Sequence, residues 1–315
     1  MQSETTASYE DHDLGAVLDR RRSPRSPCGG RALQHALVRL NEWRFRPRDC
    51  NSSESPDIDF AAEIELRALE RAFIESERRA VAPLLTDLPS ASSDFVAWFE
   101  HLQQVGPGQN DPLFPWLAEA ASFEEMKWFL GQEVAGEAGF EDLLALTQVK
   151  MPREAKLEMA RNYWDEMGQG NSRAMHGPLL ETLARTLELN VPLSDVVVES
   201  LALSNLMAGL ACNRQYAFHS VGALGVIELT APGRAKLVNA GLKRLNVAPE
   251  ARKYFALHAT LDVQHSIAWN REVLQPLLSS RPGLARALAE GALMRLRAGE
   301  RCFGRYRGYM LRSLA

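Results

Sequence analysis

From Ile58 to the end of the chain, apolar residues recur three or four positions apart, and runs of alternating β-branched residues are missing. A half-buried strand turns every second side chain inward, so this pattern gives sheets no place and predicts an all-α domain. The spacing predicts helices over 58–83, 92–105, 122–147, 152–167, 173–189, 194–217, 219–229, 233–245, 248–279 and 283–313, with Pro and Gly supplying most of the stops. The expected domain is 56–315. Residues 1–55 are rich in Ser, Pro, Arg and Asp and read as a mobile polar arm, helical only near 33–43. The basic run at 20–25 could touch nucleic acid or a partner, but a solvated tail is the commoner fate of such a run.

A chain of 315 residues, 46% hydrophobic and 24% charged, can build a core large enough to enclose a buried polar site. Its formal net charge of -4 supplies no drive toward nucleic acid or an anionic membrane, which leaves a small molecule as the expected partner. Cys28, Cys50, Cys212 and Cys302 form no C-x-x-C pair, which argues against a zinc knuckle, an iron–sulfur site or a disulfide framework. A reducing cytoplasm is the expected compartment. The opening residues are acidic and polar where a signal peptide would be basic and then apolar, and no apolar run approaches the ~18 residues of a membrane span. The closing segment, 283–313, sets Leu284, Leu288, Met294, Phe303, Tyr306 and Met310 among arginines, as in a helix docked on its own domain or on a second copy in a homodimer.

Ligand-type side chains lie on these apolar stripes. His258, Asp262 and His265 are spaced i, i+4 and i+7, so they share one narrow sector of a helix that also carries Tyr254, Leu261 and Trp269. A lone core histidine is usually satisfied by an ordinary hydrogen bond. Two histidines flanking an aspartate on one inward face each need a buried partner, unless a single metal serves all three. Glu166 continues the stripe of Met159 and Tyr163, and His176 opens that of Leu179, Leu180, Leu183 and Leu187. In one straight helix the two would stand ~15 Å apart. Gly168 and Gly170, followed by Asn171 and Ser172 as an expected N-cap, let two helices fold toward each other instead. The bland alternative is a plain helical hairpin with an exposed glutamate. Glu133 and Glu137 lie on the stripe of Met126 and Leu130, where one is a candidate ligand and both could equally reach solvent. Glu228 is expected to end an apolar helix before Pro232, a position where a carboxylate opposes the helix dipole and needs another reason to be present.

In order and spacing these residues resemble the haem-oxygenase-like diiron oxidases and oxygenases, a family of iron-containing redox enzymes. The likeness rests on F-L-x-x-E at 129–133, E-x9-H at 166–176 and E-x29-H-x3-D-x2-H from 228 to 265, and it spans about 120–275. It implies a haem-oxygenase-like multi-helix bundle that holds two non-haem Fe(II) ions in place of haem. The implied ligands are Glu133, Glu166, His176, Glu228, His258, Asp262 and His265, with Glu137 as the substitute for Glu133. The four carboxylates carry about four negative charges, which two Fe(II) ions would cancel. Oxygen and imidazole donors without thiolate suit iron or manganese. The paired E-x-x-H motifs of ferritin-like bundles are absent.

The implied activity is O₂-dependent oxidation of a small organic substrate, either N-oxygenation of an amine or desaturation or C–C cleavage of an amino acid or fatty acid, with an external electron donor as a possible partner. Arg214, Tyr216 and His219 are candidates for a substrate anchor or for ordinary interhelical contacts. Two other classes compete. A thiaminase-like protein of this fold would need an activated cysteine, for which Cys212 is the available residue in the core. A helical interaction protein would have no use for inward-facing ligands.

Overall fold

The computed structural model describes residues 29–47, 59–86, 88–89 and 91–313, without the side chains of 311–313. Among these residues every regular element is helical. In chain order they are α1 (Arg31–Phe45), α2 (Phe60–Val81), α3 (Ser92–Val105), α4 (Leu113–Glu119), α5 (Phe123–Ala135), α6 (Phe140–Thr147), α7 (Arg153–Glu166), α8 (His176–Leu187), α9 (Val198–Cys212), α10 (Ala217–Arg244), α11 (Lys253–Ala268), α12 (Gln275–Ser280) and α13 (Ala285–Ser313). The basic run at 20–25, with the rest of 1–28 and 48–58, lies outside the described residues.

Helix α10 is the axis of the bundle. It is buried almost continuously from Ala217 to Thr230, as expected of a helix whose apolar residues surround it. The helices α11 and α13 run along it, and α9 packs between them and α1. Two glycines set the approach of α10 to α13. A Cβ on Gly222 would overlap the Leu288 carbonyl, and one on Gly291 would overlap the His219 carbonyl. The same crossing is pinned by His219, whose Nε2 lies 3.0 Å from Glu290 Oε2, and by Arg78, whose Nε donates to that oxygen at 2.9 Å. The closing helix is therefore docked on its own domain, with Leu288, Met294, Phe303, Tyr306 and Met310 buried.

Four sequence expectations change in the structure. The stretch at 31–45 is a packed helix rather than part of an arm: Leu37 and Leu40 are fully buried, and Asn205 Nδ2 donates to Gln34 Oε1 at 2.8 Å. The expected helix over 122–147 divides at Gly136–Gly139, where Gly139 adopts φ 74°. Its first half begins at the capping box of Ser122 and Glu125. The expected stop at Pro232 is absent, and α10 passes through it, so Glu228 sits in mid-helix and opposes no helix end. Proline removes the N–H that would reach the Glu228 carbonyl; nearby, Gln103 Nε2 donates to the Leu229 carbonyl at 2.9 Å. The long helix expected over 248–279 resolves into α11, a wide π turn at Trp269–Leu274 and α12. Trp269, fully buried, lies against Gly225 of α10.

Because α10 and α13 meet backbone to backbone, a single methyl there must push two helices apart. Gly222→Ala or Gly291→Ala is expected to lower unfolding stability by about 1–3 kcal/mol or more. Urea denaturation measures this, with Gly283→Ala as the control, since its Cβ would meet nothing within 4 Å.

Candidate metal centre

The α7–α8 connection carries the first half of the centre. Helix α7 ends at Glu166 and α8 begins at His176, and between them Gly168, Gln169 and Gly170 take φ values of 61°, 53° and 87°. This left-handed run reverses the chain within a few residues, which glycine permits at low cost. At Gly168 the fold also requires the absence of a side chain, because a Cβ would meet the Ala174 backbone carbon at 2.6 Å. The expected cap at Asn171 and Ser172 does not form. Asn171 Oδ1 instead accepts from the Arg173 N–H at 3.1 Å, and the residue preceding the helix is Met175. His176 therefore stands in the first turn of α8.

Helix α11 presents His258, Asp262 and His265 on one buried face, and α10 supplies Glu228. The four helices bring two donor sets together around one carboxylate. Glu166 Oε2 lies 3.0 Å from His176 Nδ1 and 3.7 Å from His258 Nε2. Its other oxygen, Oε1, lies 3.7 Å from His265 Nδ1, which is 3.4 Å from Glu228 Oε2. Glu166, His176 and His258 form one set and Glu166, Glu228 and His265 the other, with the donor atoms of each within 4.8 Å of one another. All five residues are buried.

Each imidazole is held by its outward nitrogen. His258 Nδ1 lies 2.7 Å from the Tyr254 carbonyl, which only accepts, so Nδ1 carries a proton and Nε2 faces the centre. His265 Nε2 reaches Asp165 Oδ2 at 3.2 Å and turns Nδ1 inward. His176 Nε2 meets the Tyr254 hydroxyl at 3.3 Å, again leaving Nδ1 toward Glu166. Glu228 is fixed in the same manner, since Asn162 Nδ2 donates to its Oε1 at 2.6 Å and leaves Oε2 to the interior. Outer partners of this type set ring orientation and basicity in metal sites. Asp165, Asn162 and the Tyr254 hydroxyl were not assigned these roles from sequence. The available signals were the acid adjacent to Glu166 and the amide one turn before it.

The electrostatics show what the donors lack. Burial would lower the His176 pKa, but the Glu166 hydrogen bond and the charges of Glu137, Glu166 and Glu141 hold it up to about 9. His265 is likewise held up to about 9, where burial is outweighed by Glu228, Glu166 and Asp165. Burial would raise Glu166, yet His176 and His258 hold it well below the carboxylate range. Asp262 is pushed up to about 8 by burial and by the Glu228 charge. Protons on the imidazoles thus balance the acids. Two inward atoms, Asp262 Oδ1 and His265 Nδ1, are buried without any hydrogen-bond partner. A buried polar atom left in that state costs about 1–3 kcal/mol. A cation held by Glu166, Glu228 and His265 would satisfy His265 Nδ1 and replace its proton, so the donor set fits metal.

The other candidates separate. Asp262, Glu133 and Glu137 lie in neither set. Glu133 Oε1 accepts from the Tyr306 hydroxyl at 2.8 Å, and Glu137 Oε1 lies 3.9 Å from Nε2, the outward nitrogen of His176. Arg214 donates to the carbonyls of Leu146, Thr147 and Val149, and the Tyr216 hydroxyl donates to Glu75 Oε1 at 2.7 Å. With His219 on Glu290, these three residues make interhelical contacts. Burial pushes the Cys212 thiol upward, the opposite of an activated nucleophile.

A cavity of about 170 Å³ opens beside the centre, lined by Glu166, His176, Glu228, His258 and Asp262 at one end and by Arg234, Arg295, Phe303 and Tyr306 elsewhere. Among the described residues, no helix is long and apolar enough to cross a membrane. The chain matches none of the curated proteins with which it was compared. A family model described as "iron-containing redox enzyme" matches residues 127–300, a stretch that holds every residue of both donor sets and more than half of the chain. This all-α, haem-oxygenase-like bundle therefore belongs to the iron-containing redox enzyme family.

Proposed function

We propose that this chain is a non-haem diiron oxidoreductase that uses O₂ to oxidise a small organic substrate. The observation that carries the reading is the position of Glu166, whose two carboxylate oxygens face separate donor sets. A carboxylate placed in this way would serve an ion in either set, whereas a single-ion site would need one set alone. Glu166, His176 and His258 would hold one ion and Glu166, Glu228 and His265 the other. Asp262 lies on the same face of α11 and lines the same cavity, outside both sets. Oxygen and imidazole donors without thiolate suit iron.

When bound, two ferrous ions supply the electrons that reduce O₂ and so make an oxidation of the substrate possible. The chain's own residues do the rest. Tyr254, Asp165 and Asn162 hold the imidazoles and Glu228 in a ligating orientation before metal arrives, so little reorganisation is needed. Aromatic and aliphatic side chains of the cavity, among them Phe140, Leu143 and Ile227, limit the water that can reach the reacting atoms. The Tyr254 hydroxyl, whose pKa burial and the surrounding acids raise well above the phenol range, keeps its proton beside His176. The reading covers N-oxygenation of an amine and desaturation or C–C cleavage of an amino acid or fatty acid, because each needs only a substrate atom at the cavity end formed by Glu166 and His176.

Anaerobic Fe(II) loading followed by metal analysis is expected to give about two irons per chain. His258→Ala should lose at least one of them, and a variant that keeps wild-type iron would overturn the assignment. Asp165→Asn removes the charge behind His265 without removing a donor atom, and should weaken metal binding about 10–100-fold while the fold is retained. Loading should also depend on pH. Metal needs neutral imidazole, and His176 and His265 are both held up to about 9 without it. Apparent affinity should therefore rise from pH 6 toward pH 9 with release of protons, measurable by calorimetry in buffers of different ionisation enthalpy. An affinity that stays flat over this range contradicts the proton-for-metal exchange.

A further inference from the structure

Arg234 projects from α10 and Arg295 from α13, and both line the cavity that Glu166, His176 and Asp262 also line. Among the described residues, neither guanidinium makes an ion pair or hydrogen bond with an acid. Arg234 lies over the rings of Phe114 and Phe303, 5.9 and 5.6 Å from their centroids. Arg295 lies back along α13 over Gly299, where any side chain would come within 2.9 Å of its Nη1.

The acids nearby do not pair with these arginines. Glu133 acts on both of them and Glu137 on Arg295, and the Glu133 Oε1 is engaged by the Tyr306 hydroxyl. Among the described residues neither acid forms an ion pair with either guanidinium. Burial and the charge of Arg295 lower the Arg234 pKa to about 9, while both side chains keep some contact with solvent. A structural ion pair would place an acid in contact; a recognition site leaves the donors for a ligand.

We infer that Arg234 and Arg295 anchor the carboxylate of the substrate, so that the enzyme acts on a small organic acid whose apolar body lies in the cavity and whose reacting atom reaches the metal centre. The substrate part of this inference rests on the diiron reading, whereas anion binding by the two arginines does not. Size agrees with it: an apolar cavity of ~150 Å³ takes a benzene ring, and this one measures about 170 Å³. Spacing sets the geometry of the acid. Arg234 follows Glu228 by six residues, roughly 9 Å along the axis of α10, so the oxidised atom stands several bonds from the carboxylate.

The test uses the full chain, both metal-free and loaded anaerobically with Fe(II), and follows binding by calorimetry. The probes are hexanoate and phenylacetate with their primary amides, hexanamide and phenylacetamide. Each acid should bind at least about tenfold more tightly than its amide, since charge-assisted bidentate contacts are lost in the amide. Arg234→Gln and Arg295→Gln should each remove that preference while iron content and thermal midpoint stay at wild-type values, and Arg234→Lys should restore part of it. Equal binding of acid and amide, no binding of either acid, or folded Gln variants that bind acids as wild type does would each overturn the inference. Tighter binding of phenyl phosphate than of phenylacetate would overturn the carboxylate assignment. If a Gln variant fails to fold, the acid and amide comparison on the unaltered chain decides. Acid preference in metal-free protein that takes up no iron would sink the diiron reading and leave the anion site standing.

Discussion

Glu166, Glu228 and Asp262 are all buried within one helical bundle, and three buried histidines share their surroundings. Carboxylates cannot be enclosed at this density unless positive charge accompanies them. The structure answers this with Glu166 at the middle, one oxygen toward His176 and His258 and the other toward His265 and Glu228. Everything around it serves that placement. The left-handed turn at Gly168–Gly170 brings α8 back onto α7, and α11 presents three donors along one face. The same demand explains why the imidazoles are held so far toward their protonated forms without metal: protons occupy the role that cations would fill.

Helix α10 connects this requirement to the packing of the rest. It carries Glu228 toward the donors, His219 toward Glu290, and Arg234 into the wall of the cavity. Its glycines allow α13 and Trp269 to approach without intervening side chains, so the helix positions polar groups on several sides at once. A helix with this many neighbours has little freedom to shift. Glu228 and Arg234 are thereby fixed relative to each other by a single rigid element.

Much of the fold was legible because helical periodicity is a local property. The donors on α11 were equally readable, since i, i+4 and i+7 spacing places them on one face whatever packs against it. Glu228 was singled out for a reason the structure does not support: no helix ends there, because Pro232 is tolerated inside α10. The Asn171 cap failed for a related reason, as glycines on the left-handed side carried the reversal and left Asn171 to bond Arg173. Asp165 was passed over because adjacent residues on a helix point about 100° apart, so it could not share the stripe of Glu166. Its function appears only when His265 arrives from α11, a hundred positions later in the chain.

Sequence alone determined the all-α class, the inward stripes and the identity of the acids and imidazoles that had to be compensated, because periodicity and charge are carried by neighbouring residues. Tertiary structure decided which oxygen of Glu166 faces which histidine, that Glu133 bonds Tyr306 outside both donor sets, and that Arg234 and Arg295 share one cavity. Those outcomes depend on how helices distant in sequence cross, and the crossing is set by backbone contacts at Gly222 and Gly291 and by the Trp269 ring against Gly225, which no local pattern encodes.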